Sequence, residues 1–377
     1  MLFVPFNVPP VTDEDLANIR LTLERGKISG NGSYTTWCEQ LINEILGTGK
    51  TLLTTSCTHA LEMAAALLKL EDGDEVVVPA FTFVSTANAF ALWGATPVFA
   101  DVLDSTLNID ATTVEPLITS KTKAVVVVHY GGVAVDMDPL LELCKSHGIS
   151  VIEDNAHGIF GSYKGKRLGS LGELGTLSFH ETKNISCGEG GALLINNTKF
   201  EARAEILREK GTNRKQFLMG AVDKYTWVDL GSSWVISEIL AAVLYSQLER
   251  RESILGSRTT TYLTYESSLR SWADDNGVRI PSVPSYAESS FHCFHLRFQD
   301  LDSRSRFIQH CDERGVNAVF HYQSLNTSPM GRKLGGIPGG CPVSEKASDC
   351  LVRLPLFSAM TSEQVEQVIN VVTEFKV

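Results

Sequence analysis

The stretch KAVVVVHYGGVAVDMDPLLELCKSHGISVIED, residues 123–154, carries the pattern that decides the fold. A β-branched apolar run at 123–129 precedes a helical stretch at 139–146, and a second short apolar run follows at 150–153. Two short buried strands joined by a helix are typical of a parallel βαβ unit. The stretch therefore predicts an α/β fold in which helices cover both faces of a mostly parallel sheet.

The same alternation continues on both sides of this stretch. Further strands are predicted at 75–79, 97–102, 176–179 and 191–196, and helices at 13–25, 34–46, 58–70, 85–93 and 113–117. We therefore expect residues 1–250 to form a large domain that includes an N-terminal helical segment.

The last third of the chain has a different pattern. A long helix at about 237–255 is predicted, and strands at 292–297 and 317–320 precede a final helix that starts at Thr361. With 377 residues, of which 43% are hydrophobic, the chain is long enough for one large core and a smaller lobe. We expect a small C-terminal α+β domain at 251–377.

Composition and charge argue against several classes of protein. The formal net charge of −11 repels nucleic acid, and the longest apolar runs are strand-sized, so no membrane span is predicted. The start, MLFVPFNVPP, does not match a signal peptide. The eight cysteines form no Cys-x-x-Cys pair, and His129, His147 and His180 are isolated from one another. We expect a cytoplasmic protein with free thiols and no metal site.

Three short segments carry residues that are typical of an active site. Asp154 ends an apolar strand, where ligands bind in open α/β sheets, although a helix cap is the alternative explanation. Lys183 lies five residues after Ser178 and just before a glycine cluster, although a surface lysine would look the same in isolation. The hydroxyl-rich turn at 54–58 opens an apolar helix, which predicts either an anion site or an ordinary cap.

Together the three segments match the needs of one cofactor, pyridoxal 5′-phosphate (PLP). The helix at Thr58, with the Ser178 hydroxyl, offers a phosphate cradle, and Asp154 offers a carboxylate for the pyridine nitrogen. Lys183 offers the amine that the aldehyde requires. The sequence thus predicts a PLP enzyme with Lys183 as its catalytic residue.

Over nearly its whole length the chain resembles the DegT/DnrJ/EryC1/StrS family of sugar aminotransferases, which have the aspartate-aminotransferase fold (fold type I). The matching motifs are Gly26 with GNG at 30–32, GDEV at 73–76, PAFTFVSTANA at 79–89, ED at 153–154 and SFHETKN at 178–184. The resemblance implies an α/β fold with a large PLP-binding domain and a smaller C-terminal domain.

The resemblance also implies roles for individual residues. Phe83 matches the aromatic residue that stacks on the pyridine ring, and His157 matches the residue that binds the ring's phenolic oxygen. Thr58 and His59 match the backbone amides at the phosphate. Ser233 matches a position, often Asn, that reaches the phosphate from the neighbouring subunit, which implies a homodimer.

Within the family, the chain is similar to the dTDP-4-amino-4,6-dideoxygalactose transaminases. The similarity lies in REKGTNR at 208–214, DKYTW at 223–227 and GSS at 231–233. It implies that L-glutamate aminates the nucleotide-linked keto sugar dTDP-4-keto-6-deoxyglucose. Arg214, Lys224 and Tyr322 are the candidate substrate contacts, and Asn326 departs from the histidine expected there.

Three alternatives remain at this point. The first is a different nucleotide-sugar 3- or 4-aminotransferase. The second is a PLP sugar dehydratase, although such relatives have histidine where this chain has Lys183. The third is a non-catalytic relative, because a fold does not determine a function. The presence of Asp154, Ser178 and Lys183 together favours an aminotransferase.

Overall fold

The computed structural model describes residues 3–377 as an α/β protein built around a seven-stranded sheet. The strands are β1 Lys50–Thr54, β2 Glu75–Pro79, β3 Thr96–Ala100, β4 Thr122–Val128, β5 Ser150–Asp154, β6 Ser162–Tyr163, β7 Lys166–Arg167, β8 Leu174–Ser178, β9 Gly191–Ile195, β10 Ala287–Glu288, β11 Phe294–Arg297, β12 Val319–Phe320 and β13 Leu351–Leu354.

Helices pack on both faces of the large sheet and around a smaller one. The α-helices are α1 Asp13–Glu24, α2 Ser33–Leu46, α3 Cys57–Leu68, α4 Val84–Ala91, α5 Ala111–Val114, α6 Met137–His147, α7 Glu201–Arg208, α8 Arg214–Leu218, α9 Glu238–Glu249, α10 Arg251–Asp275, α11 Leu301–Glu313, α12 Pro329–Lys333, α13 Pro342–Cys350 and α14 Ser362–Glu374.

The large sheet has the strand order β1-β9-β8-β5-β4-β2-β3. Its strands are parallel except β9, which runs antiparallel to both of its neighbours, β8 and β1. The predicted mostly parallel sheet is therefore confirmed, and β1 is an addition that the sequence analysis did not predict. Because β5 and β8 are adjacent and parallel, their carboxyl ends at Asp154 and Ser178 meet at one edge of the sheet.

The valine run of β4 explains how the sheet is buried on both faces. Val126 packs with α3 and α4 on one face, whereas Val125 and Val127 pack with Met137 and Leu140 of α6 on the other. Successive side chains of a strand point to opposite faces, so a strand covered on both sides needs an unbroken apolar sequence.

A second core lies beyond the large sheet. The antiparallel strands β11, β13 and β12 pack with α10, α11 and α14 around buried residues such as Phe294, Phe307 and Val368. The small α+β lobe has the expected kinds of elements, while the boundary at residue 250 stays a prediction. Within residues 3–377, no helix is both long enough and apolar enough to span a membrane.

The long helix predicted at 237–255 is wrong as a single element. The chain forms α9 and α10 instead, with a break at Arg250, where φ is −89° and ψ is 10°. The Arg250 guanidinium contacts the buried Asp15 carboxylate of α1 at 2.9 Å. This long-range ion pair at the junction could not be recognised from helical periodicity.

Candidate active site

A cavity of about 730 Å³ opens at the carboxyl edge of the large sheet. It brings together most of the residues that the sequence singled out, namely Thr58, Phe83, Asp154, His157, Ser178, Lys183 and Tyr322. These residues come from separate strand ends and loops, so the parallel arrangement of the sheet is what gathers them.

The amino end of α3 forms one wall of the cavity. Ser56 caps the helix, because its Oγ accepts a hydrogen bond from the backbone N–H of His59 at 3.1 Å. Within the described residues, the N–H groups of Cys57 and Thr58 have no acceptor. The Thr58 hydroxyl lies 2.7 Å from the Ser85 hydroxyl. Free amides and hydroxyls at a helix amino end form a site for an anion such as a phosphate.

His59 was expected to contribute to this anion site, but it does not. Its side chain is not part of the cavity wall, and its backbone N–H already donates to Ser56. The two amides that remain free are those of Cys57 and Thr58, one residue earlier than the predicted pair.

A glycine allows the sheet to lie directly against the helix cap. A Cβ atom on Gly191 would lie 2.3 Å from the carbonyl carbon of Ser56 and 2.4 Å from the nitrogen of Cys57. Because the obstructing atoms belong to the backbone, no side-chain rotation would relieve the clash. Gly191 thus marks a close approach of one backbone segment to another.

Asp154 is a buried carboxylate without a cationic partner among residues 3–377. Thr86 Oγ1 donates to its Oδ2 at 2.7 Å, and the Ala156 N–H donates to its Oδ1 at 3.2 Å. Burial raises the pKa of the Asp154 carboxyl, and these hydrogen bonds act in the opposite direction. A positive group in the cavity would stabilise the ionised form, so the site suits a protonated ring nitrogen.

Lys183 lies in the loop that follows β8. Burial lowers the pKa of its amine to about 8, although Cys57 and Asp154 favour the charged form. The neighbouring Asn184 anchors the loop, because its Nδ2 donates to the carbonyl of Ser290 at 2.8 Å. The loop therefore holds an amine that deprotonates far more readily than a free lysine, near the Asp154 carboxylate.

His157 and Tyr322 form a hydrogen-bonded pair in the cavity wall. The Gly131 N–H donates to His157 Nδ1 at 3.3 Å, which assigns the ring hydrogen of neutral imidazole to Nε2. His157 Nε2 lies 3.0 Å from the Tyr322 hydroxyl. Burial lowers the pKa of His157 well below its ordinary value, so the ring is neutral. Nε2–H therefore donates to Tyr322, which leaves the tyrosine hydrogen free for a ligand.

Besides His59, three predicted residues lie outside this cavity. Arg214, Lys224 and Ser233 are exposed and belong to residues 208–233, which we call the arm. The arm also exposes large apolar side chains, including Met219 at 74% and Trp227 at 73%. Within one chain the arm does not reach the cavity wall, and its apolar surface is typical of an interaction site.

Asn326, the departure from the expected histidine, is also absent from the cavity wall. It is buried, and its Nδ2 donates to the Ile337 carbonyl at 2.9 Å and to Glu345 Oε1 at 2.7 Å. The residue holds a loop of the small lobe together.

The sequence analysis missed several residues of the cavity wall. They include Phe6, Cys57, His292, His321 and Arg353. Arg353 carried a recognisable signal, because it is the one charge within the apolar run of β13, Leu351–Leu354. Phe6 carried none, since its place depends on the pairing of the N-terminal segment with residues more than 300 positions later.

The known proteins that this chain resembles are aminotransferases. A model of the DegT/DnrJ/EryC1/StrS aminotransferase family matches residues 9–373. The structure is similar to the aminotransferase TlmJ from Streptoalloteichus hindustanus, with 30% identity, a TM-score of 0.91, and coverage of 99% of this chain and 98% of that chain.

Two further solved structures are similar over equally long stretches. DesV of S. venezuelae, in complex with a ketimine intermediate, has 29% identity and a TM-score of 0.91, covering 99% of this chain and 98% of that one. The PLP form of the sugar aminotransferase Spr1654 from Streptococcus pneumoniae has 26% identity, a TM-score of 0.90 and the same coverage.

Proposed function

The chain belongs to the DegT/DnrJ/EryC1/StrS aminotransferase family, as a PLP-dependent sugar aminotransferase, and from that premise we propose a specific reaction. The enzyme transfers the amino group of L-glutamate to C4 of dTDP-4-keto-6-deoxyglucose and produces dTDP-4-amino-4,6-dideoxygalactose. The observation that carries the transamination step is the cavity that joins Lys183, Asp154 and the free amides of α3.

The residues of the cavity suit PLP group by group. The amides of Cys57 and Thr58, with the Ser178 hydroxyl, would hold the phosphate. Asp154, a buried carboxylate without a cation, would face the ring nitrogen. When bound, PLP supplies an electrophilic carbon and a ring that withdraws electrons from the reacting carbon.

Two further side chains complete the proposed cofactor site. Phe83 lies at the rim, where its ring would cover the pyridine ring, and it is 55% exposed within one chain. His157 would bind the phenolic oxygen through its Nε2–H, which the ligand would share with the Tyr322 hydroxyl, and Tyr322 would help to position the imidazole through its contact with Nε2.

Lys183 is the proposed acid and base. With a pKa of about 8, roughly a tenth of the amine is neutral at pH 7, compared with less than about 0.1% for a free lysine. Its Nζ takes the proton from the α-carbon of the donor in one half-reaction and delivers a proton to the sugar carbon in the other. The Asp154 carboxylate is required in both half-reactions.

We place the nucleotide diphosphate near the arm. Arg214 and Lys224 make no ion pair within the described residues, so their charges are free for an anionic ligand. In an isologous dimer the arm of one subunit would lie over the cavity of the other, and Ser233 would reach its phosphate. The resulting enzyme would be a cytoplasmic homodimer.

The test is a panel of nucleotide-linked keto sugars incubated with the enzyme, PLP and L-glutamate. We expect 4-amino product from the dTDP-linked 4-keto-6-deoxy sugar, identified by mass spectrometry, and the galacto configuration at C4 by NMR. Faster turnover of a 3-keto isomer would refute the regiochemistry. A deoxygenated product without nitrogen would refute transamination itself.

A further inference from the structure

Helix α4 contacts the cavity through the residues at its amino end. Phe83, which precedes the helix, lies at the rim of the cavity. The Ser85 hydroxyl lies 2.7 Å from the Thr58 hydroxyl at the proposed phosphate site. Thr86 Oγ1 donates to Asp154 Oδ2 at 2.7 Å, and this threonine is fully buried without lining the cavity itself. Thr86 can therefore act on a bound cofactor only through Asp154.

Thr82 extends this contact into a chain of hydroxyl groups. Its Oγ1 lies 2.8 Å from Thr86 Oγ1, and its side chain is also buried. A hydroxyl group has one hydrogen, so Thr86 donates to Asp154 and Thr82 donates to Thr86. Both hydrogen bonds point toward the carboxylate. Because a hydrogen bond to an ionised acceptor is stronger than one to a neutral acceptor, the chain favours the ionised form of Asp154.

The Thr86 hydroxyl is the main group that opposes the effect of burial on this carboxyl. Burial raises the pKa of Asp154, and the hydrogen bond from Thr86 has the largest effect in the opposite direction. The hydrogen bond from the Ala156 N–H is longer, at 3.2 Å, and has a smaller effect. Lys183 and His129 also lower the pKa of Asp154, but less.

The acidic side chains near Asp154 do not supply a competing charge. Burial raises the pKa of the Cys57 thiol and of the Tyr322 hydroxyl, so both groups are neutral at neutral pH. Asp154 also has no ion-pair partner among residues 3–377. The ionisation of Asp154 therefore depends on its hydrogen bonds and on the ligand that it meets in the cavity.

We propose that Thr86 is a positioning residue whose hydroxyl keeps Asp154 ionised and thereby keeps a proton on the ring nitrogen of PLP. The inference rests on the proposed contact between Asp154 and that nitrogen. The proton of this contact has two positions. On the nitrogen, it leaves Asp154 ionised and the hydrogen bond from Thr86 charge-assisted. On the carboxyl oxygen, it leaves both groups neutral and the hydrogen bond weaker, so the hydroxyl stabilises the first arrangement.

The position of this proton determines how strongly the ring withdraws electrons from the reacting carbon, because a protonated ring is the better electron acceptor. A buried site opposes the charged arrangement, since both charges lose their hydration there. The protein must therefore supply hydrogen bonds that offset this cost. From the usual strength of a hydrogen bond to a charged group, we expect loss of the Thr86 hydroxyl to shift the proton equilibrium by about 10- to 150-fold toward the neutral pair.

The first test locates the proton without turnover. The enzyme is loaded with PLP that carries ¹⁵N at the ring nitrogen, and NMR distinguishes a protonated from a neutral pyridine nitrogen by its resonance. We expect the resonance of a protonated nitrogen in the wild type and a shift toward the neutral position in Thr86→Val. Thr86→Ser, which retains the hydroxyl, should restore the wild-type position. Thr82→Val should give a smaller shift in the same direction, because Thr86 still donates to Asp154.

Thr51→Val is the matched control. Thr51 is also buried, and its Oγ1 donates to Asn43 Oδ1 at 2.7 Å, but it lies outside the cavity. This variant loses a buried hydroxyl of the same kind, so a general loss of stability would appear in chemical denaturation while the ring resonance stays unchanged. Retained PLP absorbance and an unchanged circular dichroism spectrum establish that each variant is folded. If Thr86→Val does not retain PLP, the shift in Thr82→Val decides the question.

The second test separates the chemical step from binding of the donor. Stopped-flow loss of the visible cofactor band is followed over a range of L-glutamate concentrations. We expect Thr86→Val to lower the rate at saturating donor by about tenfold or more, and to leave the half-saturating concentration within about threefold. The reason is that Thr86 does not line the cavity and so does not touch the donor. Thr86→Ser should restore the rate.

Two results would overturn the proposal. The first is a neutral ring nitrogen in the wild type, and the second is a ring resonance that neither Thr86→Val nor Thr82→Val changes. Asp154→Asn separates this inference from the contact on which it rests. If Asp154→Asn moves the resonance and Thr86→Val does not, the Asp154 contact stands and the role of Thr86 fails. If Asp154→Asn leaves the resonance unchanged as well, both fail.

Discussion

At the scale of single residues, the cavity combines a buried carboxylate, Asp154, with a partly buried amine, Lys183. The pKa of Lys183 is lowered and that of Asp154 is raised, and burial is the main cause of both shifts. Keeping either group fully charged in this cavity costs free energy. A ligand that supplies the missing partner therefore stabilises each of them. Strongly perturbed groups that share a cavity are typical of catalytic sites.

The first prediction identifies the lysine that binds the cofactor. Borohydride reduction of the yellow, PLP-loaded enzyme should abolish the visible band and attach a pyridoxyl group to Nζ of Lys183. Peptide mapping by mass spectrometry locates the modification, and Lys183→Ala, which lacks the amine, serves as the control. A pyridoxyl group on another lysine of the wild-type enzyme would contradict the assignment.

The second prediction concerns Asp154. Asp154→Asn should retain the borohydride-reducible band but lose turnover on the order of 100-fold, because a neutral amide does not stabilise a protonated ring nitrogen. Steady-state rates and the reduction assay are compared on the same preparation. Near-normal turnover would mean that Asp154 only accepts the hydrogen bonds of Thr86 and Ala156.

The positions of candidate residues were predictable where local sequence determines them. Asp154 ends an apolar strand and Lys183 lies in the loop that follows one, so the strand pattern placed both at the carboxyl edge of the sheet. The Cys57 N–H is free and the His59 N–H is not, because the Ser56 hydroxyl accepts from His59, and the sequence does not reveal which N–H the hydroxyl binds. Arg353 stands out in the sequence as the one charge of an apolar strand, but its contacts with Phe6 and Phe320, from distant parts of the chain, do not.

At the scale of elements, the proposed phosphate site at the amino end of α3 depends on the contact between α3 and β9. The cap at Ser56 is shaped by its own hydrogen bonds, but its position is set by the backbone of Gly191. Strand β9, which lies two positions from β5 in the sheet, thus determines the direction of the free N–H groups of α3.

The third prediction tests this contact. Gly191→Ala should weaken PLP binding and lower the free energy of unfolding by about 1–3 kcal/mol, because its Cβ would collide with the backbone of Ser56 and Cys57. Fluorescence titration with PLP and chemical denaturation provide the two readouts. Gly256→Ala is the control: that glycine lies in α10 with open space around its Cβ position, so the change should be neutral or slightly stabilising. Equal behaviour of the two variants would contradict the proposed contact.

Helices and strands were predicted correctly where the local sequence has a clear pattern. Strand β2 has the predicted bounds, and the final helix starts after the Thr361 capping box as expected. Strand β1 was missed because its pairing partner β9 lies far along the chain and gives it no periodic pattern of its own. The break at Arg250 was also missed, and the ion pair that Arg250 makes there joins it to Asp15, which lies far away in the chain.

At the scale of the whole molecule, the single chain leaves apolar side chains exposed and predicted contact residues away from the cavity wall. Phe83 is half exposed at the rim of the cavity, and the arm presents Met219 and Trp227 to solvent. The predicted contacts Ser233, Arg214 and Lys224 do not line the cavity of their own chain. A dimer in which each arm covers the other subunit's cavity would account for both the exposed apolar surface and the remote polar residues.

The last prediction tests this shared site by complementation. Lys183→Ala inactivates its own cavity, and Ser233→Glu should inactivate the partner's cavity by placing a carboxylate near the phosphate. In a mixed dimer, one cavity then has both Lys183 and a wild-type Ser233. Random exchange makes half of the dimers mixed, so activity should recover to about a quarter of the wild-type value.

The control pairs Lys183→Ala with Asp154→Asn, whose side chains line the same cavity of one chain. Their mixed dimer contains no intact site, so it should recover no activity. Subunit exchange is verified with differently tagged chains by native mass spectrometry. If the Ser233→Glu mixture recovers nothing after verified exchange, or if Ser233→Glu alone is fully active, the arm does not complete the neighbouring site. Recovery in that mixture alone requires Ser233 and Lys183 to act across the subunit interface, because no single chain in it contains both.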